Sequence, residues 1–200
     1  MRFKVVNTEV NISFTFLAVL LMMIVRGNVR LYFSVFTFSL LHEAIHLLFL
    51  LFFGASVRRV SFSIFGGNIE REKGDMGSFK EAVVNLSAPA VNIIIGSVLM
   101  ILGISVEASY INLFLGLFNM LPFYNFDGGR GLYSLVLLKY DKSRAELVLF
   151  ISSLLSVLAF IMLNFTIIFH NKFNPVLLVI NIYMLSCFIA NIFKKSAFKA

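Results

Sequence analysis

Of the chain's 200 residues, 60% are hydrophobic and only 14% are charged, against roughly 45–50% and about 25% in ordinary soluble domains. That balance excludes a soluble globular domain and places the chain in the membrane class. The formal charge of +7 is read as basic loops on a cytoplasmic membrane face rather than a nucleic-acid surface, and the single cysteine, Cys187, excludes an intrachain disulfide.

A bilayer-spanning helix needs about 20 mostly apolar residues. In chain order, stretches at about 10–25, 31–54, 82–104, 146–169 and 175–193 satisfy this. A sixth, at about 109–125, is shorter and runs into Pro122, which should break or kink it. No small-residue cleavage site follows the first stretch, so it is read as a retained span and not a signal peptide. With the N-terminus inside, Arg26, Arg30 and Lys172 are the basic residues left outside, and both termini are therefore expected in the cytoplasm. Residues 55–81 differ from their surroundings. VRRVSFSIFGGNIERE alternates in places around Gly66-Gly67 and then turns charged, which predicts a β-hairpin or a short re-entrant extended element at the inner membrane face. An irregular amphipathic loop is the alternative. The expected fold class is an all-α polytopic membrane protein of about six helices with this β-like element between the second and third. It is expected to form a single domain over 1–200 without an appended soluble regulatory domain.

The second expected span holds one formally charged residue, Glu43, inside the run His42-Glu43-Ala44-Ile45-His46. Histidines at i and i+4 share a helix face, so both imidazoles can reach one metal ion. Glu43 is turned by about 100° from His42 and can stand beside the metal as a general base without ligating it. Histidines that only pack or hydrogen-bond between helices are the alternative. A carboxylate at helix centre, however, costs roughly 2.5–3.5 kcal/mol on insertion scales, so ionisable residues there usually serve a site.

A catalytic zinc takes three protein ligands and keeps a fourth position open. Asp127, in NMLPFYNFDGGR behind the break at Pro122, stands apart from the carboxylates of the charged loops. Broken helix at membrane depth must be buried in protein or line a wet cavity, and the glycines after Asp127 allow close backbone approach to a metal or substrate. A Gly-rich turn with a capping aspartate is the competing reading. Asn92 and Asn119 are polar residues in apolar spans. They are expected either to bond the intermediate or substrate backbone, or to act as helix–helix glue. Asn164 and Asn181 are read as interhelical hydrogen-bonders or lumen-lining groups, and His170 as interfacial.

HEAIH together with Asn119-x-x-Pro122-x4-Asp127-Gly128 resembles the paired signature of the site-2 protease family of intramembrane metalloproteases. The resemblance implies that His42, His46 and Asp127 bind one catalytic Zn2+ and that Glu43 activates water. Ser87-Ala88-Pro89-Ala90-Val91-Asn92 is similar to a further family motif, with Ala88 where glycine is usual. Phe65-Gly66-Gly67 and DGGR resemble the bacterial sporulation branch, which processes a membrane-tethered pro-sigma factor. That likeness implies a multi-pass protein of a bacterial cell membrane. Its partners would be a membrane-tethered protein substrate, the lipid bilayer and inhibitory or regulatory membrane proteins, with no nucleic acid. ATP regulation through a C-terminal domain is not expected, because the sequence ends shortly after the sixth span. The 57–69 element, with Phe65, Gly66 and Gly67, would offer a strand edge to an unwound substrate. Competing readings are a gluzincin-type membrane protease with a glutamate as third ligand, an ion- or proton-coupled transporter, and a catalytically dead scaffold.

Overall fold

The computed structural model describes residues 2–5, 8–12, 29–63, 66–71, 76–170 and 174–197. They belong to two compact units, Met1–Phe118 and Asn119–Ala200.

In the first unit, β1 (Arg2–Val5), β2 (Thr8–Ile12), β3 (Val57–Ser63) and β4 (Gly66–Arg71) make a four-stranded sheet in that order. The β1–β2 and β3–β4 pairs are antiparallel, and β2–β3 is parallel with Glu9 opposite Arg59. The expected hairpin is therefore present, but Gly66 and Gly67 are not its turn. They open β4, opposite Ser63 and Phe62, while Phe65 lies outside the described residues. The all-α expectation needs correcting too, because the N-terminal residues add two strands. Strands of 4 and 5 residues are too short for a period-two pattern to stand out, and the parallel partner of β2 is far downstream. The first expected span, at about 10–25, opens on the end of β2 and otherwise falls outside the described residues.

Helix α1 (Val29–Phe52) has 24 residues, about 36 Å at 1.5 Å per residue, enough for a hydrocarbon core of about 30 Å. Its end is a Schellman motif: Gly54 takes φ +77, Ala55 N donates to Leu50 O at 3.0 Å and Gly54 N to Leu51 O at 2.9 Å. Those bonds satisfy carbonyls that the last turn leaves open. Helix α2 (Ser78–Ile101) carries Pro89 in its interior, which removes the N–H that the Asn85 carbonyl would otherwise receive. Helix α3 (Val106–Asn119) has 14 residues and stops short of Pro122, where 109–125 was expected to run on. Small residues draw α2 and α3 together. A Cβ at Gly96 would sit 2.8 Å from Leu113 N, and one at Gly116 would sit 2.7 Å from Pro89 O. Arg30 Nε lies 3.8 Å from Glu107 Oε2, placing the starts of α1 and α3 side by side.

The second unit contains α4 (Asp127–Val136), α5 (Lys142–Phe169) and α6 (Pro175–Ala197). Asn174 caps α6: its Oδ1 accepts from Val176 N at 3.0 Å and Leu177 N at 3.2 Å, with Pro175 at the first helical position, where its missing N–H costs nothing. Asn181 Nδ2 donates to Phe160 O at 3.2 Å and ties α6 to α5, as expected of an interhelical hydrogen-bonder. Phe188 stacks on Phe150 with centroids 5.4 Å apart and packs against Tyr124 at 6.0 Å.

Among the described residues, four helices are long and apolar enough to cross a membrane: Arg30–Phe52, Ser78–Ile101, Lys142–Phe169 and Pro175–Phe193. The distribution of side chains agrees with that solvent. Ser87, Ala88, Asn92, Ser109, Asn112 and Ser153 are buried, whereas Phe33, Ile101, Met162 and Phe169 face outward. Small and polar groups fill helix contacts when the surrounding medium is as apolar as leucine.

Candidate metal centre

The one-turn spacing of His42 and His46 on α1 puts both rings on a single face. Their centroids are 4.9 Å apart and nearly perpendicular, at 86°. Both side chains are buried, 4% and 8% exposed, although Leu40, Leu41 and Leu48 around them face outward. The α1 face turned toward α2 is thus the one bearing the imidazoles, which is the arrangement a membrane helix adopts when its polar groups must avoid lipid.

Helix α2 fixes both rings. His46 Nδ1 donates to the Val84 carbonyl at 2.9 Å, and this oxygen also accepts from Ser87 Oγ at 2.8 Å. His42 Nδ1 lies 3.1 Å from Asn92 Oδ1. Asn92 is fully buried and its Nδ2 donates to Asn112 Oδ1 on α3 at 3.0 Å. With both Nδ1 atoms engaged, Nε2 is the ring atom each histidine has for a ligand. Metal-binding histidines characteristically show such a bond from the far nitrogen, because it fixes ring orientation and tautomer.

Asp127 is the first residue of α4; the N-cap is Phe126, without a side-chain cap. At this end of the helix the backbone dipole favours a negative charge. The glycines that follow serve the chain itself. A Cβ at Gly128 would collide with the Met120 carbonyl, and one at Gly129 with that of Phe123. The close approach expected of this pair is thus to the preceding loop, which is held in turn by Tyr124 N donating to Ser153 Oγ at 3.1 Å and by Phe123, fully buried.

The ligand atoms of His42, His46 and Asp127 all lie within 4.8 Å of one another. Two imidazoles and one carboxylate are a donor set suited to zinc with one position left open, so the residues present fit the group. Glu43 follows His42 on the helix and is half-buried. Of the remaining sequence candidates, Asn92 is taken up by His42 and Asn112, Asn119 ends α3 half-buried, and Gly66 and Gly67 belong to β4. Asn112 was not singled out by sequence. Its signal was there, in the stripe Ser109, Asn112, Gly116 at helical spacing within an otherwise apolar helix.

No family model matches the chain, and no curated protein matches it. Among solved structures, the chain is similar to the Site-2 Protease from Methanocaldococcus jannaschii, with a TM-score of 0.65 and 22% identity over 92% of this chain and 91% of that one. At that identity the likeness establishes a shared fold.

Proposed function

We propose that this chain is an intramembrane zinc metalloprotease which hydrolyses a peptide bond in or near a transmembrane segment of a membrane-tethered protein, with 1–200 acting as one protease domain. The observation that carries the reading is the convergence of His42, His46 and Asp127, with ligand atoms within 4.8 Å, next to a carboxylate that lipid would not tolerate without a purpose. The shared fold supports it.

On this reading His42, His46 and Asp127 hold the ion, which when bound supplies Lewis acidity and a water ionising near neutral pH. Glu43 takes the proton of the attacking water and returns it to the departing amine nitrogen. A substrate helix satisfies its own backbone amides and must unwind before scission. Among the described residues β4 pairs with β3 alone, so its other side is the edge to which an extended segment can add as a strand. Asn119 and the Phe65-Gly66-Gly67 stretch are assigned to substrate contact.

The reading takes six spans from the apolar stretches of the sequence and both termini as cytoplasmic from the charge bias, and water and substrate then enter from the cytoplasmic side. His46 precedes the end of α1 at Phe52 by about 9 Å at 1.5 Å per residue. A bacterial cell membrane and a pro-sigma or anti-sigma factor as substrate are the expectations that Phe65-Gly66-Gly67 and DGGR support.

Co-expression with candidate single-span substrates tests the reading. Wild type is expected to release a cleaved fragment. Glu43→Gln is expected to lose about 10²–10⁴-fold in rate, the usual contribution of a general base, with zinc content unchanged. Cleavage that persists in Glu43→Gln overturns the mechanism.

A further inference from the structure

An amide side chain can usually be turned end for end, so one asparagine beside a histidine does not say which ring nitrogen carries the proton. Here the choice is made at the far end of a chain of four groups. Asn112 Nδ2 donates to the Ala108 carbonyl at 2.9 Å, and a carbonyl oxygen only accepts. Asn112 must therefore present Oδ1 to Asn92, which donates to it from Nδ2 at 3.0 Å. That turns Asn92 Oδ1 toward His42, whose Nδ1 lies 3.1 Å away and must then be the donor. A neutral imidazole has one N–H, so the lone pair of His42 falls on Nε2.

Neither asparagine is open to solvent. Both are 0% exposed, and the glycine contacts at Gly96 and Gly116 flank them on the paired helices. Reversing either amide alone would set donor against donor or acceptor against acceptor at its contacts along the line.

We propose that Asn112 and Asn92 are positioning residues that set the tautomer of His42, and hence its readiness to ligate metal, from a backbone carbonyl on α3. This rests on reading His42 as a zinc ligand. His46 provides an internal control, because its Nδ1 bonds the Val84 carbonyl directly and no side chain in the relay touches that bond.

The experiment uses the full-length protein in micelles with 15N-labelled histidine; the chain has 3 histidines, so each ring resolves. In the metal-free wild type, His42 is expected as the Nδ1–H tautomer. Asn112→Leu matches the amide in shape but gives Asn92 no acceptor. It is expected to shift His42 toward the Nε2–H tautomer and weaken Zn2+ binding by about 10–100-fold, as loss of outer-shell partners does. Asn112→Asp still accepts from Asn92 and is expected to keep the wild-type tautomer. His46 should remain Nδ1–H throughout. A His42 signal unmoved by Asn112→Leu overturns the proposal, as does a parallel shift of His46, which would mark a merely structural effect. A tautomer shift in a protein that binds no Zn2+ even as wild type sustains the relay and overturns the metal reading instead.

Discussion

At the scale of single residues, burial separates the candidate ligands from ordinary membrane histidines. His170, at the end of α5, donates from Nδ1 to the Thr166 carbonyl at 2.9 Å and is exposed, as an interfacial residue should be. His42 and His46 are buried on one face with each Nδ1 engaged. HExxH was legible because its chemistry is local: four residues of helix bring the two imidazoles together whatever surrounds them. On the proposed reading, Asp127→Ala removes one of the three ligands without touching either histidine. We expect it to release Zn2+ under a chelator concentration that leaves the wild type loaded, while the fold persists; metal analysis after dialysis checks this, and full retention would exclude Asp127 from the ligand set.

At the scale of elements, glycines decide how closely backbones approach, and their substitutions should diverge. Gly54→Ala places a methyl group in open space and costs only the left-handed φ, about 1–2 kcal/mol, so zinc content should not change. Gly128→Ala drives a methyl group into the Met120 backbone. Overpacking of that kind costs about 1–3 kcal/mol, and relief must move the start of α4, which carries Asp127. Zinc content is expected to fall although every ligand is intact. Melting curves and metal analysis on the two variants separate the cases; equal zinc content in both would show that the Met120 loop does not hold Asp127 in place. On α2 and α3, Gly116→Ala meets the Pro89 carbonyl and should lower thermal stability by a similar amount. The small-residue stripe was visible in the sequence, but its partner on α2 was not, because a helix face does not name the helix it meets.

At the scale of the whole molecule, the solvent sets the terms. Four described helices are long and apolar enough to cross a membrane, and the lean charge content leaves basic residues to mark one side. Cytoplasmic-reporter fusions are expected to be active at both termini and inactive when placed in the 102–105 connection; the reverse pattern would invert the proposed access route. The sheet adds a second prediction. Proline placed in turn at Gly67, Asn68 and Ile69 removes one N–H at a time from β4. Where that N–H points away from β3, cleavage is expected to drop while zinc stays bound, and unchanged turnover along the whole strand would sink the edge-strand reading.

The sequence by itself determined the solvent, most of the apolar stretches, the HExxH face and the standing of Asp127 as a carboxylate apart from the charged loops. Each of these rests on composition or on spacing within one helical turn. Tertiary structure alone decided three things. It gave β2 its parallel partner β3, and it showed that the glycines after Asp127 serve the preceding loop. It also ran the hydrogen-bond line from Ala108 through Asn112 and Asn92 to His42. The sheet pairing and the hydrogen-bond line depend on which backbones come into contact across long stretches of chain, and the glycine contacts on how the loop from Met120 folds back on the start of α4; periodicity within a single element carries no information about either.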